Sequence, residues 1–191
     1  MKLLKTRKFA ILLTVVIALI ATMLGVLGTA SRDTRRIEAM FYNGVYNEAW
    51  GTTMRGMSAH IDNCADAALG LATFLKNYPQ LADRAEELIL AQRGIHDAKS
   101  ISEKNSAFNL MVRLFYGLNT AANSLDLSSR DLTAVTQYYN EFRNAHMVMI
   151  ETRYNDKVIE YLEGRSAIVR IISSFMPVKA PSYFTIPEIN V

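Results

Sequence analysis

The chain has one cysteine, Cys64, so no intramolecular disulfide can form and packing alone must hold the fold in either redox compartment. Proline is scarce and late. Pro79 is the first of four, and Pro177, Pro181 and Pro187 crowd the end, so before Tyr78 no proline interrupts a helix and only Gly44, Gly51, Gly56 and Gly70 weaken its pattern. A basic surface is also missing. Four of the 21 Lys and Arg residues (Lys2, Lys5, Arg7 and Lys8) precede the first apolar run, and from Ser31 onward 17 basic residues face 18 acidic ones. The pI near 9.0 therefore belongs to the leader, and the body lacks the basic stripe that nucleic acid requires, which excludes a nucleic-acid partner. No acid, base, nucleophile and orienter stand at usable spacing, so neither an enzyme nor a cofactor is expected.

The chain does contain one long apolar run. Phe9 to Ala30 is 22 residues without a charge, about 33 Å as a helix, enough for a hydrocarbon core of roughly 30 Å. Four cations precede it, while Arg32, Arg35 and Arg36 follow it, which favours a cytoplasmic N-terminus. Gly28-Thr29-Ala30 offers a signal-peptidase alternative, but the run exceeds an ordinary signal h-region. Either way Ser31 onward lies outside the cytoplasm; the expected arrangement is an uncleaved single-pass anchor in the plasma (inner) membrane. The expected division is a basic tail (1–8), a transmembrane anchor (9–30) in the lipid bilayer, a helical bundle (31–176) and an extended proline-containing tail (177–191).

Within the bundle, Trp50, Met54, Met57, Ile61, Cys64, Ala68, Leu71 and Leu75 alternate steps of four and three, a heptad seam of coiled-coil type. Asp33 is a candidate N-cap, and the pattern predicts one helix from there to Asn77, ended by Tyr78-Pro79. Leu81, Ala85, Leu88, Gln92 and Ile95 predict a second helix ending near Asp97. Residues 98–106 read as a loop with some helix, and Phe108, Met111, Phe115, Leu118 and Ala122 mark a third helix. Ser128 with Asp131 is a capping box opening a fourth, whose seam is Leu132, Val135, Tyr139, Phe142, His146 and Met149, with apolar residues continuing to Pro177.

These elements predict an all-α fold: an N-terminal transmembrane helix, then an antiparallel bundle of two long helices (first and fourth) and a shorter hairpin. With Asn77 opposite Ser129, Ala30 comes level with Met176, so the fourth helix returns to the bilayer. The hairpin covers only the distal half, leaving a four-helix head on a two-helix stalk. Ile37, Met40, Phe41, Tyr42, Val45 and Tyr46 face several ways there. Two helices cannot bury them all, which predicts a second copy or an envelope protein partner along the stalk.

Single residues carry weaker signals. His60 and Cys64 share a helix face with Asp62 between, a metal-like spacing, but Cys64 occupies the seam and no second ligand cluster exists, so a core role is expected and no metal site. His146, between Phe142 and Met149, reads as a hydrogen-bonded core histidine. His96, beside Asp97, sits where a cation suits a helix C-terminus. Asn43, Asn47 and Asn155 are placed to bond across the stalk and fix its register. The methionines read as core fillers. The tail, with Tyr183 and Phe184, either touches the bilayer or packs back onto the first helix.

Tyr154-Asn155 followed by Val158 and Tyr161, then Phe175-Met176-Pro177 with Ser182-Tyr183-Phe184, resembles the LemA family of bacterial membrane proteins. Tyr42-Asn43 with Val45, and Ala49-Trp50, are similar to that family's opening helix, and Leu127, Gln137 and Tyr154 keep its spacing. The resemblance runs from Ile37 to Phe184, together with the anchor. It departs at 60–64, Arg130, Thr133 and Glu151. It implies a helical extracytoplasmic domain on one transmembrane helix, without enzymatic activity. The expected function is a non-enzymatic scaffold or adaptor, self-associating in the cell envelope. The alternative is a binding or sensing module that modulates an envelope enzyme or stress pathway.

Overall fold

In the computed structural model, which describes residues 7–49, 51–165, 169–172 and 179–187, the apolar run opens a single helix, α1, spanning Arg7–Asn43. At 37 residues it is about 55 Å long. Ile11, Leu12, Ile17 and Leu24 are exposed along its first half, whereas Ile37 and Phe41 are buried in its second. This is the one helix among the described residues that is long and apolar enough to cross a membrane.

The predicted first helix does not run unbroken from Asp33 to Asn77. Between Asn43 and Met57 the chain makes a two-stranded hairpin, β1 (Tyr46–Asn47) and β2 (Thr52–Thr53), with Tyr46 opposite Thr53. Glycine is the physical cause. Gly44 takes φ +88° and ends α1 by donating to the Met40 carbonyl at 2.9 Å, and a Cβ there would collide with the Met54 carbonyl. Gly51 turns the hairpin at φ +63°, and Gly56 lies directly on the carbonyls of Phe41 and Tyr42. The start of the heptad seam falls in this hairpin, Trp50 itself lying outside the described residues.

From Met57 the seam holds. On α2 (Met57–Leu75), Met57, Ile61, Cys64, Ala68, Leu71 and Leu75 are all buried. α3 (Ala82–Asp97) buries the predicted Ala85, Leu88, Gln92 and Ile95, and α4 (Ile101–Asn123) buries Phe108, Met111, Phe115, Leu118 and Ala122. α4 opens seven residues ahead of Phe108, within the stretch read as loop, because Ser100 caps it by accepting from the Glu103 amide at 3.2 Å. α5 (Ser129–Glu151) opens on Ser128 as predicted, its hydroxyl accepting from the Asp131 amide. Leu132 is exposed, yet Val135, Phe142, His146 and Met149 are buried.

The predicted four-helix head is therefore present in α2, α3, α4 and α5, with α2 lying along α5 and α3 along α4. The Cys64 thiol meets the Phe142 carbonyl at 3.7 Å, as the expected antiparallel register requires. The fourth helix does not continue to Pro177. It breaks at Thr152, Arg153 turns left-handed (φ 57°), and α6 (Tyr154–Glu163) begins as a separate helix.

Below the head the predicted heights also change. Because the hairpin consumes chain without gaining height, the level of Ala30 is reached by Tyr161, whose hydroxyl donates to the Ala30 carbonyl at 3.0 Å. Met176 lies outside the described residues. The tail is extended over 179–187, as expected, and packs back onto the helices. Phe184 is fully buried, 5.4 Å from the Phe41 ring and 5.6 Å from Phe108, and Tyr154 stands 5.2 Å from Phe41. The stalk thus has three partners (α1, α6 and the tail) instead of two, and Ile37, Phe41 and Val45 are buried within the chain. Tyr42 and Tyr46 remain exposed.

Candidate functional site

Where α5 breaks and α6 starts, the tail crosses the gap and closes one side of a groove of about 710 Å³. α2 contributes Met57, α5 contributes Arg143, His146 and Ile150, α6 contributes Asn155 and Asp156, and the tail contributes Tyr183, Thr185, Ile186 and Pro187. Local chemistry fixes this geometry. The Asn155 carboxamide donates to the Phe184 carbonyl at 2.8 Å and accepts from the Phe184 amide at 3.1 Å, pairing with the tail as a neighbouring strand would. Tyr154 Oη donates to the Ser182 carbonyl at 2.6 Å. Both residues sit in the first turn of α6, so the left-handed Arg153 aims them together at the tail.

His146 lies on the groove wall, 2% exposed, between the rings of Phe108 and Phe142 at 5.8 and 6.0 Å. It is a core histidine, as expected, but it is not hydrogen-bonded: neither Nδ1 nor Nε2 has a partner among the described residues. Burial holds its pKa below the usual histidine value, favouring the neutral ring. Arg143, one turn earlier and exposed, has no ion-pair partner among the described residues. Arg153 is paired with Asp156 at 3.4 Å, and Thr152 Oγ1 donates to the Met149 carbonyl at 2.8 Å.

The other residues singled out from the sequence lie elsewhere. Cys64 is fully buried against α5, and burial pushes its thiol pKa far up, away from the thiolate a metal needs. Asp62 faces Lys104 of α4 at 3.3 Å. His60 lines a shallow surface depression with Asp66 and Glu141 and is depressed in pKa by burial, then by Arg55. Among the described residues no group of three or more His, Cys, Asp or Glu side chains is placed to hold a metal ion. His96 lies 2.8 Å from Gln92 in the last turn of α3.

Among the described residues the expected asparagine bridge across the stalk is not formed. Asn43 is exposed, Asn47 accepts from the Ala49 amide at 3.0 Å within the hairpin, and Asn155 binds the tail. Sequence reasoning missed Arg143 and the groove itself. Arg143 and His146 stand three apart on one helix, which was readable, but the opposite walls come from residues far along the chain.

A second depression, near the end of the apolar segment, is lined by Val26, Ile37, Arg36, Lys157 and Arg165. Here Thr34, Tyr161 and the Lys179 carbonyl meet: the hydroxyls of Thr34 and Tyr161 are 3.1 Å apart, Thr34 donates to the Lys179 carbonyl at 3.1 Å, and the Lys179 ammonium is 3.4 Å from Glu38. α1 is thus tied to both α6 and the tail just past the end of the uncharged run that closes at Ala30.

Fold and groove together define an all-α protein with one candidate membrane-spanning helix and a bundle tied to that helix by aromatic packing. Compared with protein-family models, curated proteins and solved structures, the chain matches none.

Proposed function

We propose that this chain is a single-pass protein of the plasma (inner) membrane, N-terminus in the cytoplasm, whose extracytoplasmic bundle acts as a non-enzymatic adaptor, and that it is a divergent member of the LemA family. One observation carries the adaptor reading. α1 runs without a break from the apolar segment into the core, where Phe41 is fully buried against Tyr154 and Phe184. A head joined this way is held at a set height and angle to its anchor, as a protein that positions a partner requires. The family reading is supported by Tyr154-Asn155 and Ser182-Tyr183-Phe184, which carry the resemblance and are hydrogen-bonded to one another. Exposed Tyr42 and Tyr46 offer a partner surface on the stalk.

Topology is tested in whole cells by replacing Cys64 with serine, placing a cysteine at the exposed Ser129 and adding a membrane-impermeant maleimide. Labelling without lysis is expected; labelling only after lysis rejects the extracytoplasmic placement. The groove favours a second reading, a binding module, because its volume of about 710 Å³ suits a small molecule and Arg143 on its lining has no ion-pair partner among the described residues.

A further inference from the structure

The end of the bundle nearest the apolar run carries positive charge that the rest of the body does not. Tyr161 is level with Ala30, where the uncharged run closes. Around that level stand Arg32, Arg35 and Arg36 on α1, Lys157 on α6, Arg165 and Arg170 after it, and Lys179 of the tail, whose backbone and ammonium reach Thr34 and Glu38. These seven face four acids at the same end, Asp33, Glu38, Glu160 and Glu163, which leaves ten basic residues against fourteen acidic ones for the remainder from Ser31 onward. Leu162 and Ile171 are exposed there as well. Exposed apolar side chains beside a surplus of cations are the composition that an anionic membrane surface attracts.

The depression between α1 and α6, about 580 Å³ in volume, concentrates this pattern. One lip, formed by Val26, Thr29 and Ala30, belongs to the apolar run, and the other holds Arg36, Lys157 and Arg165 with Asp33 and Glu160. A lipid lying along α1 meets both lips, its chains at the first and its headgroup at the second. Several of the polar groups are already engaged. Lys157 is paired with Glu160 at 2.7 Å, the Thr29 hydroxyl donates to the Gly25 carbonyl at 2.6 Å, and Tyr161 Oη donates to the Ala30 carbonyl. Asp33 and Arg36 have no ion-pair partner among the described residues. The Arg165 guanidinium lies 4.9 Å over the Tyr161 ring and gives one bond, at 3.3 Å, to its hydroxyl. A guanidinium has five N–H donors, so others remain even with the shielded Nε set aside. The three lining cations exceed the two carboxylates by one, the charge of a single phosphodiester.

We propose that this depression holds the headgroup of an anionic phospholipid, its phosphate between Arg36 and Arg165, a headgroup hydroxyl donating to Asp33, and its acyl chains running along α1 past Val26. Arginine suits the phosphate because its planar fork gives charge-assisted bonds to two oxygens at once. The lipid site rests on the reading of α1 as a membrane span and is independent of the adaptor reading.

The test uses the full chain in dodecyl maltoside, with bound lipid counted by native mass spectrometry. The probe is dioleoylphosphatidylglycerol; the phosphatidylethanolamine and phosphatidylcholine with the same chains, and inorganic phosphate, are the controls. Saturable retention of phosphatidylglycerol is expected at lower concentration than of either zwitterionic lipid, and inorganic phosphate is not expected to displace it. Arg36→Gln and Arg165→Gln are each expected to weaken phosphatidylglycerol binding about fivefold, whereas Arg143→Gln, on the lining of the other groove, leaves it unchanged. Arg36 is exposed and has no ion-pair partner among the described residues, so Arg36→Gln is expected to keep the wild-type thermal midpoint and tests the site without disturbing the stack of Arg165 on Tyr161. Equal retention of a zwitterionic lipid, displacement by inorganic phosphate, or wild-type affinity in Arg36→Gln overturns the lipid site. Carbonate extraction of membranes separates this failure from that of the span. A chain that stays in the pellet without preferring phosphatidylglycerol loses the lipid site alone, and a chain released by carbonate loses the span and the site together.

Discussion

At the scale of single residues, His146 and Gly44 illustrate two kinds of stored cost. His146 is kept neutral by burial, so the unfolded chain binds a proton more readily than the folded one. Stability is then complete above the unfolded-state value of about 6.5 and falls as pH drops below it toward the depressed folded value. The Phe108 and Phe142 rings flank the imidazole, Arg143 and the paired Arg153 and Asp156 line the same groove, and among the described residues none supplies a hydrogen-bond partner for the ring. Thermal midpoints of the full chain in detergent, read by circular dichroism between about pH 7 and 5, are expected to fall in the wild type and to fall less in His146→Phe. Equal slopes would remove His146 as the cause. Gly44 differs from Gly51 in one respect: both have positive φ, but only Gly44 has a carbonyl, that of Met54, where a Cβ would be. Gly51→Ala is expected to cost about 1 kcal/mol, the left-handed penalty alone, and Gly44→Ala distinctly more, because the hairpin must also move. Matching losses in denaturant midpoint would mean that the close approach is relieved at no cost.

At the scale of elements, the tail is the piece whose importance is least visible in composition. Residues 179–187 form no helix or strand among the described residues, yet Phe184 is as buried as any residue in the head. Phe184→Ala is expected to destabilise by about 3–5 kcal/mol, as for other buried aromatic truncations. Asn155→Ala removes two hydrogen bonds while keeping the ring in place, and is expected to cost about 2 kcal/mol. Both variants are expected to make 179–187 sensitive to limited proteolysis before the head unfolds; cleavage at the wild-type rate would mean that neither residue holds the tail. The periodic seams of α2, α3 and α4 were readable because burial follows the 3.6-residue repeat directly. The Ser128 cap was recognised and the equivalent Ser100-x-x-Glu103 was not, because the stretch around it lacks an apolar repeat. Gly44, Gly51 and Gly56 were readable as weak points of the first helix, but the breaks at 44–56 and at Arg153 were not, since apolar residues continue across both and periodicity does not show the close backbone approaches that fix where the chain turns. Asn155 was singled out, but its partner is a backbone 29 residues away, which spacing cannot show.

At the scale of the whole molecule, the question is whether the apolar stalk needs a second chain. Two helices could not cover Ile37, Phe41 and Val45, which is why self-association followed from the sequence; all three are buried within one chain, Phe41 against Tyr154 and the tail's Phe184. What remains exposed outside the candidate span includes Tyr42, Tyr46, Ile150 and Tyr183. Scattered exposed apolar side chains are normal on monomers. The full chain in detergent is therefore expected to give the mass of one protein per micelle by light scattering with refractive-index correction, at all concentrations sampled. Phe184→Ala, which removes the ring seated between Phe41 and Phe108, is expected to shift that mass upward with concentration, because the stalk then exposes apolar surface large enough to recruit another copy. A wild-type oligomer that persists on dilution would restore the self-associating scaffold, with Tyr42 and Tyr46 as the first residues to substitute. A wild-type monomer with an oligomeric Phe184→Ala would assign the tail a second role beyond closing the groove, as the segment that keeps the stalk from pairing with itself.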